Sequence, residues 1–434
     1  MNSTTQFFFT RRSLEAVRLV TSLAYSLFLP TYLATLLLSC VSSFATAKPT
    51  PPGQSSLKIA VDFDGGSAHI VAIDQHRRLV RIRPQILNQR GWRCWWFFKL
   101  SGIVPGESIT LEVGDAPWAT PDRATFSLDG KTWLQTDLGK RQGQRIVFQQ
   151  SIPSKTAWFA WGPPFTQTDA EELVQWATEE CSEAKKFVLC KSQRGRDVPA
   201  LHFTPSGDNA LPRVGIWINA RQHAWEVGSS WVCKGLIEWF VSNDPRAIQV
   251  RQVADMTVVP IMDVDSVAIG AGGKNQLPHD HNRDWGTANL YQSVSAAMQH
   301  IQQLDDQRLL KIYIDLHNPG AHCQSPFFYV APHHILSDIG QRNLNRFLAT
   351  AASELSGPLK FRGECHESGP NYDRNWRRIS KNWVTLNTRE DVVAVTLETP
   401  WNTIHSNLDG YRLIGSQLGR AIARYLRAMQ ALTP

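Results

Sequence analysis

Four short runs of apolar, β-branched residues in the second half of the chain each lead to chemically reactive side chains. Continuous apolar runs of about four to eight residues are typical of strands buried on both faces of a parallel sheet. Open α/β sheets gather ligands outside the carboxyl ends of their strands, so we expect these side chains to meet at one edge. The runs and side chains are residues 214–218 with His223 and Glu226, 257–262 with Asp280-His-Asn-Arg283, 312–316 with His317, and 392–397 with Glu398.

Helical patterns alternate with these apolar runs over the second part of the chain. They cover residues 169–177, 336–354 and 408–429. Strands that alternate with helices are typical of an α/β sheet with helices on both faces. The sequence therefore predicts an α/β catalytic domain over residues 165–434.

Residues 57–164 show short alternating runs separated by turns, without a long helical period. Asp129-Gly130 lies between two such runs and predicts a hairpin with a two-residue turn. The pattern predicts an all-β sandwich domain. A group of rings within it is interpreted as strand packing, and a stacking platform for sugars or peptides is the alternative. The rings are Trp92, Trp95, Trp96, Phe97 and Phe98.

Residues 1–47 have the features of a targeting segment. Arginines precede an apolar region over residues 19–38, and Ala45-Thr-Ala47 is a small-x-small cleavage pattern. We therefore expect an exported protein, periplasmic or extracellular, with a signal peptide or an N-terminal anchor that would associate it with a membrane. Leu37-Leu-Ser-Cys40 also resembles a lipoprotein box, in which Cys40 would carry lipid. Residues 48–56 form a Pro-rich linker.

Composition narrows the classes of partner. A hydrophobic content of 42% supports a large globular core. The formal net charge is +7, but the Lys and Arg residues are scattered without a long basic run, so no nucleic-acid partner is expected. The even number of cysteines after residue 47 permits disulfides in an exported chain without establishing any. Cys233, within a predicted helix, is interpreted as a buried thiol that packs as a small apolar side chain.

Two histidines and one glutamate have the pattern of a catalytic zinc site. The His-x-x-Glu spacing of His223 and Glu226 can turn an imidazole nitrogen and a carboxylate oxygen to one point, and His317 follows at a distance. Three protein ligands leave a fourth position open for water, as a hydrolytic zinc requires, whereas a structural zinc is usually closed by a fourth protein ligand. We therefore predict one Zn²⁺ per chain.

Five segments around these side chains carry motifs that are specific in combination. They are Ala220-Arg-Gln-His-Ala-Trp-Glu-Val-Gly-Ser-Ser-Trp-Val-Cys-Lys-Gly235, Val259-Pro-Ile-Met-Asp-Val-Asp265, Asn282-Arg-Asp-Trp285, Asp315-Leu-His317 and Thr396-Leu-Glu398. Together they resemble the zinc carboxypeptidases of the carboxypeptidase A type, most closely the cytosolic carboxypeptidases and their bacterial relatives. The resemblance runs from about residue 185 to the end, and more loosely back to about residue 59. It implies a carboxypeptidase-like mixed sheet flanked by helices and preceded by a β-sandwich.

The resemblance also implies roles for individual side chains. Glu398 matches the catalytic glutamate, which takes a proton from the metal-bound water and passes it to the departing amine. Asp280 occupies the place of the aspartate that accepts the second N–H of the first histidine ligand, His223. Asn282 and Arg283 match the pair that grips the substrate's terminal carboxylate, for which a planar guanidinium is well suited.

Two positions depart from the family's pattern. An arginine that polarises the scissile carbonyl usually precedes the Asn-Arg pair, but the nearest cation here is Lys274, a point charge with weaker geometry. Ala224-Trp225 stands where the closer relatives typically have Pro-Gly. Arg283 also has a structural alternative, which is an ion pair with Asp284.

We predict a zinc-dependent metallocarboxypeptidase that hydrolyses the C-terminal peptide bond of peptides or proteins, with zinc-bound water as the nucleophile and Glu398 as the general base. Lys274 joins Asn282 and Arg283 as a candidate substrate-binding residue. One alternative is an exported zinc amidohydrolase that acts on peptidoglycan stem peptides. The other is a non-catalytic peptide-binding relative, which the lysine at position 274 keeps open.

Overall fold

The computed structural model describes residues 55–87, 90–116, 118–206 and 213–430. The predicted leader, Cys40 and most of the predicted linker lie outside these residues. No helix within the described ranges has the length and apolar character needed to cross a membrane. The signal peptide, export and membrane association stay predictions.

Ten strands in the first part of the described chain form two five-stranded sheets. The strands are β1 (Lys58–Ala60), β2 (His69–Asp74), β3 (Leu79–Arg83), β4 (Phe97–Ser101), β5 (Glu107–Gly114), β6 (Thr125–Ser127), β7 (Leu134–Gln135), β8 (Lys140–Gln142), β9 (Arg145–Ile152) and β10 (Thr156–Ala160). The sheet orders are β1-β4-β10-β6-β7 and β2-β3-β5-β9-β8. Neighbours pair antiparallel except β3 and β5. The predicted β-rich first domain is confirmed, and its boundaries stay predictions.

The hairpin predicted at Asp129-Gly130 differs in its turn. Strands β6 and β7 do pair antiparallel, but residues 128–133 connect them, so the prediction of a two-residue turn is wrong. The Asp129 carboxylate accepts the backbone N–H groups of Lys131 at 2.8 Å and Thr132 at 2.7 Å. An aspartate that bonds backbone two residues onward makes a turn of its own, which lengthens the loop.

The five aromatic rings of the β-sandwich cluster lie in two different environments. Trp95, Trp96, Phe97 and Phe98 are buried in the hydrophobic core, as the packing interpretation predicts. Trp92 is only half-buried, and it lines the large cavity described below. The segment therefore places four rings in the core and leaves the fifth at a cleft.

Eight strands form the third sheet, with four parallel strands at its centre. They are β11 (Ala184–Lys191), β12 (Asp197–Phe203), β13 (Val214–Ala220), β14 (Ala254–Val259), β15 (Leu310–His317), β16 (Phe327–Val330), β17 (Cys365–Glu367) and β18 (Val393–Glu398), in the order β11-β12-β14-β13-β15-β18-β16-β17. Strands β14, β13, β15 and β18 are the four predicted apolar runs, and they pair in parallel. The predicted mixed sheet is confirmed.

Eight helices accompany this sheet in the described ranges. They are α1 (Gln167–Glu180), α2 (Val227–Val241), α3 (Pro245–Val253), α4 (Val264–Ala268), α5 (Gln292–Asp306), α6 (Asp338–Glu354), α7 (Ser380–Asn387) and α8 (Leu408–Gln430). Helix α1 starts with a capping box, because Thr166 accepts the N–H of Asp169 while the Asp169 carboxylate accepts the N–H of Thr166. Helix α8 contacts α2, α3 and α6. Helices α5 and α7 contact strands of the sheet and do not belong to that group.

The parallel strands bring the reactive side chains to one edge of the sheet. His317 and Glu398 are the last residues of β15 and β18, and they are register partners. Ala220, the last residue of β13, pairs with Leu316, so the loop that carries His223 begins beside His317. The expectation that the carboxyl ends of these strands meet is confirmed.

Helices α2 and α8 cross at glycines. A Cβ placed on Gly415 would lie 2.0 Å from the carbonyl oxygen of Val232, and one on Gly235 would lie 2.1 Å from that of Arg412. Both neighbours are backbone atoms, which cannot swing aside as a flexible side chain can. This crossing therefore admits no side chain at either position.

Gly415→Ala should destabilise the protein. Alanine favours an exposed helix by about 1 kcal/mol over glycine, but forcing two packed backbones apart costs about 1–3 kcal/mol or more, so we expect a net loss of stability. Chemical denaturation measures it, with Ser416→Ala in the same helix as the matched control. A midpoint raised by Gly415→Ala would contradict the close crossing.

Candidate active site

Three buried side chains from two strand ends form a cluster that fits a metal ion. His223 and Glu226 lie in the loop after β13, and His317 ends β15. Their ligand atoms all lie within 4.8 Å of one another. Two imidazoles and one carboxylate form a donor set that catalytic zinc takes, with a fourth position left for water. The structure thus brings the three predicted ligands together in an arrangement that fits zinc.

Glu226 holds both imidazoles of the cluster. Its Oε1 lies 2.8 Å from Nδ1 of His223, and its Oε2 lies 2.6 Å from Nδ1 of His317. Burial alone would raise the pKa of Glu226, but the two imidazoles lower that pKa below its ordinary value. The carboxylate is therefore charged, and both Nδ1 atoms face it. A cation that binds here replaces the protons shared in these contacts.

A second carboxylate faces the other nitrogen of each ring. Nε2 of His223 lies 3.1 Å from Oδ1 of Asp280, the residue predicted for this contact. Nε2 of His317 lies 2.9 Å from Oδ2 of Asp315, for which the sequence analysis predicted no role. Such partners fix the orientation of a metal-binding imidazole. The alternation of a strand was the available signal, since it places Asp315 and His317 on the same face.

The side chain of Asn282 takes part in the same buried network. Its Oδ1 accepts the backbone N–H of Ser380 at 2.9 Å, and its Nδ2 lies 3.3 Å from Oδ2 of Asp315 and 3.2 Å from Nε2 of His317. Both ends of the amide are engaged within the protein. Direct substrate binding by Asn282 stays a prediction, and its contacts favour support of His317.

Glu398 has a free carboxylate oxygen beside the cluster. The residue is 8% exposed, and Oε2 forms no hydrogen bond with any residue of the described chain. Burial raises the pKa of Glu398 to about 7. A carboxylate with an unused oxygen and a pKa near neutrality has the properties of a general base.

Two neighbouring cavities open onto these groups. The larger has a volume of about 850 Å³, and Glu226, Glu398, Lys274 and Trp92 line it. The smaller shares Lys274 and Glu398 with the larger, and it is also lined by His223, His317, Asn282, Arg283 and Lys381. Every predicted site residue therefore lines one or both of these neighbouring cavities.

Arg283 reaches the smaller cavity with part of its guanidinium already bound. Nε donates to the Asp373 carboxylate at 2.8 Å, and Nη1 donates to the carbonyl oxygen of Asn282 at 2.8 Å. The ion pair is thus made with Asp373 rather than with Asp284, the structural alternative considered above. The hydrogen bonds found among the described residues leave Nη2 unused.

Lys274 lies between both cavities with little to hold its charge. Its Nζ lies 5.4 Å from the centroid of the Trp92 ring. The described residues place no carboxylate within 4.0 Å of that nitrogen. A cation in this position is available to a substrate, in line with the predicted role.

Lys381, which the sequence analysis did not single out, is a second cation in the smaller cavity. Its Nζ donates to the carbonyl oxygen of Val330 at 3.0 Å, to the Asn382 amide oxygen at 2.7 Å and to the Ser368 hydroxyl. Burial lowers the pKa of Lys381 to about 7. Its position on helix α7 carried no local signal of a cavity.

Two family models match consecutive parts of the chain. Residues 171–290 match the zinc carboxypeptidase family, and residues 59–161 match the cytosolic carboxypeptidase N-terminal domain. The order of the two matches is the order in which the β-rich and α/β parts occur.

Curated relatives and a solved structure point to the same group. Cytosolic carboxypeptidase 6 of Caenorhabditis elegans is 25% identical over 308 residues, which are 64% of this chain and 65% of that protein. Cytosolic carboxypeptidase 1 of Mus musculus is 24% identical over 315 residues, which are 62% of this chain but only 26% of that protein. A metallo-carboxypeptidase structure from Burkholderia cenocepacia has a TM-score of 0.75 at 18% identity, with 86% of this chain and all of that chain covered. At this identity the structural likeness shows the fold.

These comparisons confirm the predicted resemblance. The match to the zinc carboxypeptidase family is preceded along the chain by the match to the cytosolic carboxypeptidase N-terminal domain. The predicted enzyme class, a metallocarboxypeptidase, is confirmed at the level of the family, and zinc is the metal of that family. The number of ions per chain and the roles of individual residues stay predictions.

Purified protein should hold about one zinc ion per chain, because His223, Glu226 and His317 provide one closely spaced ligand set. Metal analysis should find less than about a tenth of that zinc in His223→Ala and in His317→Ala, since each removes one of three protein ligands. His405→Ala, which removes an exposed histidine, is the matched control. Unchanged zinc in both ligand variants would rule out this site.

Proposed function

We propose that this chain, with its zinc carboxypeptidase domain, hydrolyses the C-terminal peptide bond of peptides or proteins. The observation that carries the proposal is the unpartnered Oε2 of Glu398, which lies in the same cleft as the His223–Glu226–His317 cluster. A buried polar oxygen without a partner is costly to a fold and is retained where a ligand uses it.

Each part of the metal cluster has a task in this reaction. His223, Glu226 and His317 would hold zinc, which when bound would act as a Lewis acid that lowers the pKa of water and polarises a carbonyl. Glu398 accepts the proton of the attacking water and returns it to the departing amine, which its pKa of about 7 suits in both directions. Asp280 and Asp315 keep the two imidazoles in one orientation throughout.

The smaller cavity supplies the preference for a chain terminus. Arg283 offers Nη2 there, whereas Lys381 already donates its three N–H groups to oxygens of Val330, Ser368 and Asn382. A free α-carboxylate pairs with Arg283, while an internal peptide bond brings no charge. We therefore assign the terminal carboxylate of the substrate to Arg283, with Asn282 as a residue that supports His317.

Lys274 stands where it can stabilise the negative charge that develops on the scissile carbonyl oxygen. It lines both cavities together with Glu398. Groups aimed at charge that appears only in the transition state accelerate the chemical step rather than binding. We assign this role to Lys274 in place of the arginine usual in the family.

Location and the natural substrate add two further proposals. The leader pattern of residues 1–47 supports export. Stem peptides of peptidoglycan are among the molecules with a free C terminus that an exported enzyme would meet. Such stems also end in carboxylates, so the same cleft would take them. A peptide-binding relative without turnover is the rival, and the free oxygen of Glu398 beside the ligand cluster speaks against it.

Glu398→Gln should keep zinc and peptide binding while turnover falls by about a hundredfold or more, since an amide has a similar shape but cannot accept the proton. Stopped-flow or mass-spectrometric assays give kcat, and metal analysis gives the zinc content. Glu367→Gln is the matched control on the wall of the larger cavity. A loss below about tenfold would assign the base to another group.

Peptides with a free C terminus should be cleaved at least about ten- to a hundredfold faster than their C-terminal amides, because the amide brings no negative charge to the unused Nη2 of Arg283. Arg283→Ala should slow cleavage of the acid far more than that of the amide. The measurement is kcat/KM for matched acid and amide peptides. Equal rates on both in the unmodified protein would mean an endopeptidase or another amidohydrolase.

A further inference from the structure

The backbone around Lys274 is tied to two different parts of the molecule. On one side, the N–H of Asn275 donates to Oδ2 of Asp280, the carboxylate whose other oxygen faces His223. On the other side, the N–H of Trp92 in the β-sandwich donates to the carbonyl oxygen of Lys274 at 3.1 Å. The loop thus joins the metal cluster to the β-sandwich domain.

The contact between this loop and the β-sandwich leaves no space. A Cβ on Gly272 would lie 2.3 Å from the carbonyl oxygen of Trp92. The Gln276 amide donates to the carbonyl oxygen of Leu87 at 2.8 Å. A close backbone contact before Lys274 and a side-chain hydrogen bond after it therefore fix the position of the loop against the β-sandwich.

The side chains continue the same contact. The Lys274 ammonium lies 5.4 Å from the centroid of the Trp92 ring, within the range of a cation–π interaction. The Trp92 ring is stacked at 26° on Trp225, with centroids 6.0 Å apart, and Trp225 is 2% exposed. A buried ring between two metal ligands thus supports the half-buried ring that faces the ammonium.

We propose that Trp92, a residue of the β-sandwich domain, is a positioning residue for Lys274 in peptide hydrolysis. The face of its ring holds the ammonium in the cleft, where Lys274 stabilises the charge that develops on the scissile carbonyl. The proposal rests on the function assigned above. It makes the β-sandwich part of the active site rather than a neighbour of it.

The physical need for such support follows from the chemistry of lysine. A lysine ends in a point charge on a flexible four-carbon stem, whereas an arginine has a rigid fork of donors. Stabilisation of a transition state requires a charge that is in place before the reaction begins. An aromatic face restricts the ammonium without neutralising its charge. A carboxylate partner, by contrast, would neutralise that charge.

A double-mutant cycle tests this coupling. Trp92→Leu, Lys274→Met and the double variant are compared with the unmodified protein, and kcat and KM are measured on one peptide acid. Trp118→Leu is the matched control, because its ring contacts the Trp92 ring edge-on at 5.3 Å but is 54% exposed. Zinc content and thermal unfolding are recorded for all five proteins.

Lys274→Met should lower kcat about a hundredfold and Trp92→Leu about tenfold, with KM changed less than about threefold in each. In the Lys274→Met background, Trp92→Leu should have less than about a twofold effect on kcat. The same tenfold loss in both backgrounds would mean that Trp92 acts through packing alone, and the proposal fails. An unaffected kcat in Lys274→Met would also overturn the proposal. If Glu398→Gln still lost its turnover in that case, the assignment of the protein as a peptidase would stand.

A spectroscopic readout separates position from activity. Reductive ¹³C-methylation labels lysine amines, and the Lys274 signal is identified by its absence from Lys274→Met. The ring current of Trp92 should shift this signal, and Trp92→Leu should return it to the ordinary lysine position. Trp92→Phe, which keeps an aromatic face, should retain most of both the shift and kcat. A Lys274 signal identical in the unmodified protein and Trp92→Leu would show that the ring does not hold the ammonium.

Discussion

One buried carboxylate on the central strand β15, that of Asp315, holds the site together. The residue is inaccessible to solvent, and a charge taken out of water costs several kcal/mol unless hydrogen bonds replace its hydration. The donors come from β13, the loop after it, the turn at residue 282 and the start of α7, so four parts of the chain gather around the ring of His317. They are Asn219 at 2.7 Å, Gln222 at 2.6 Å, Asn282 at 3.3 Å and Ser380 at 2.6 Å, with Nε2 of His317 at 2.9 Å.

The residues at the carboxyl edge of the parallel strands could be predicted from the sequence, because their placement depends on local patterns. A continuous apolar run is legible as a buried strand, and a parallel sheet must bring the ends of such strands together. His317 and Glu398 end neighbouring strands in register, so their proximity follows from two runs and one topological rule. The His-x-x-Glu loop adds only a short spacing. The ligand set and the general-base candidate were therefore within reach of sequence reasoning.

The residues that line the walls of the cleft could not be predicted from the sequence, because their positions depend on contacts between distant parts of the chain. Arg283 is bound by Asp373, not by the adjacent Asp284, and sequence distance gave no reason to choose between them. Lys381 lies in a helix, where a lysine is ordinarily solvated, and its burial follows from the packing of that helix on the sheet. Trp92 belongs to a run in which four of five rings are core residues, so its exposure to the cleft was hidden by its neighbours.

The two departures from the family's pattern are physically connected. Trp225 stands between two predicted zinc ligands, where the family's pattern typically has glycine, and its ring is the surface on which Trp92 stacks. Trp92 in turn faces Lys274, which we propose in place of the arginine usual in the family. An arginine fork needs no such support, because its donors are fixed by its own planarity. A lysine whose ammonium lies against an aromatic ring has fewer available positions, and so gains part of the positional order that an arginine has. The large ring at position 225 and the small cation at position 274 are thus physically linked through Trp92, across the contact between the β-sandwich and the α/β domain.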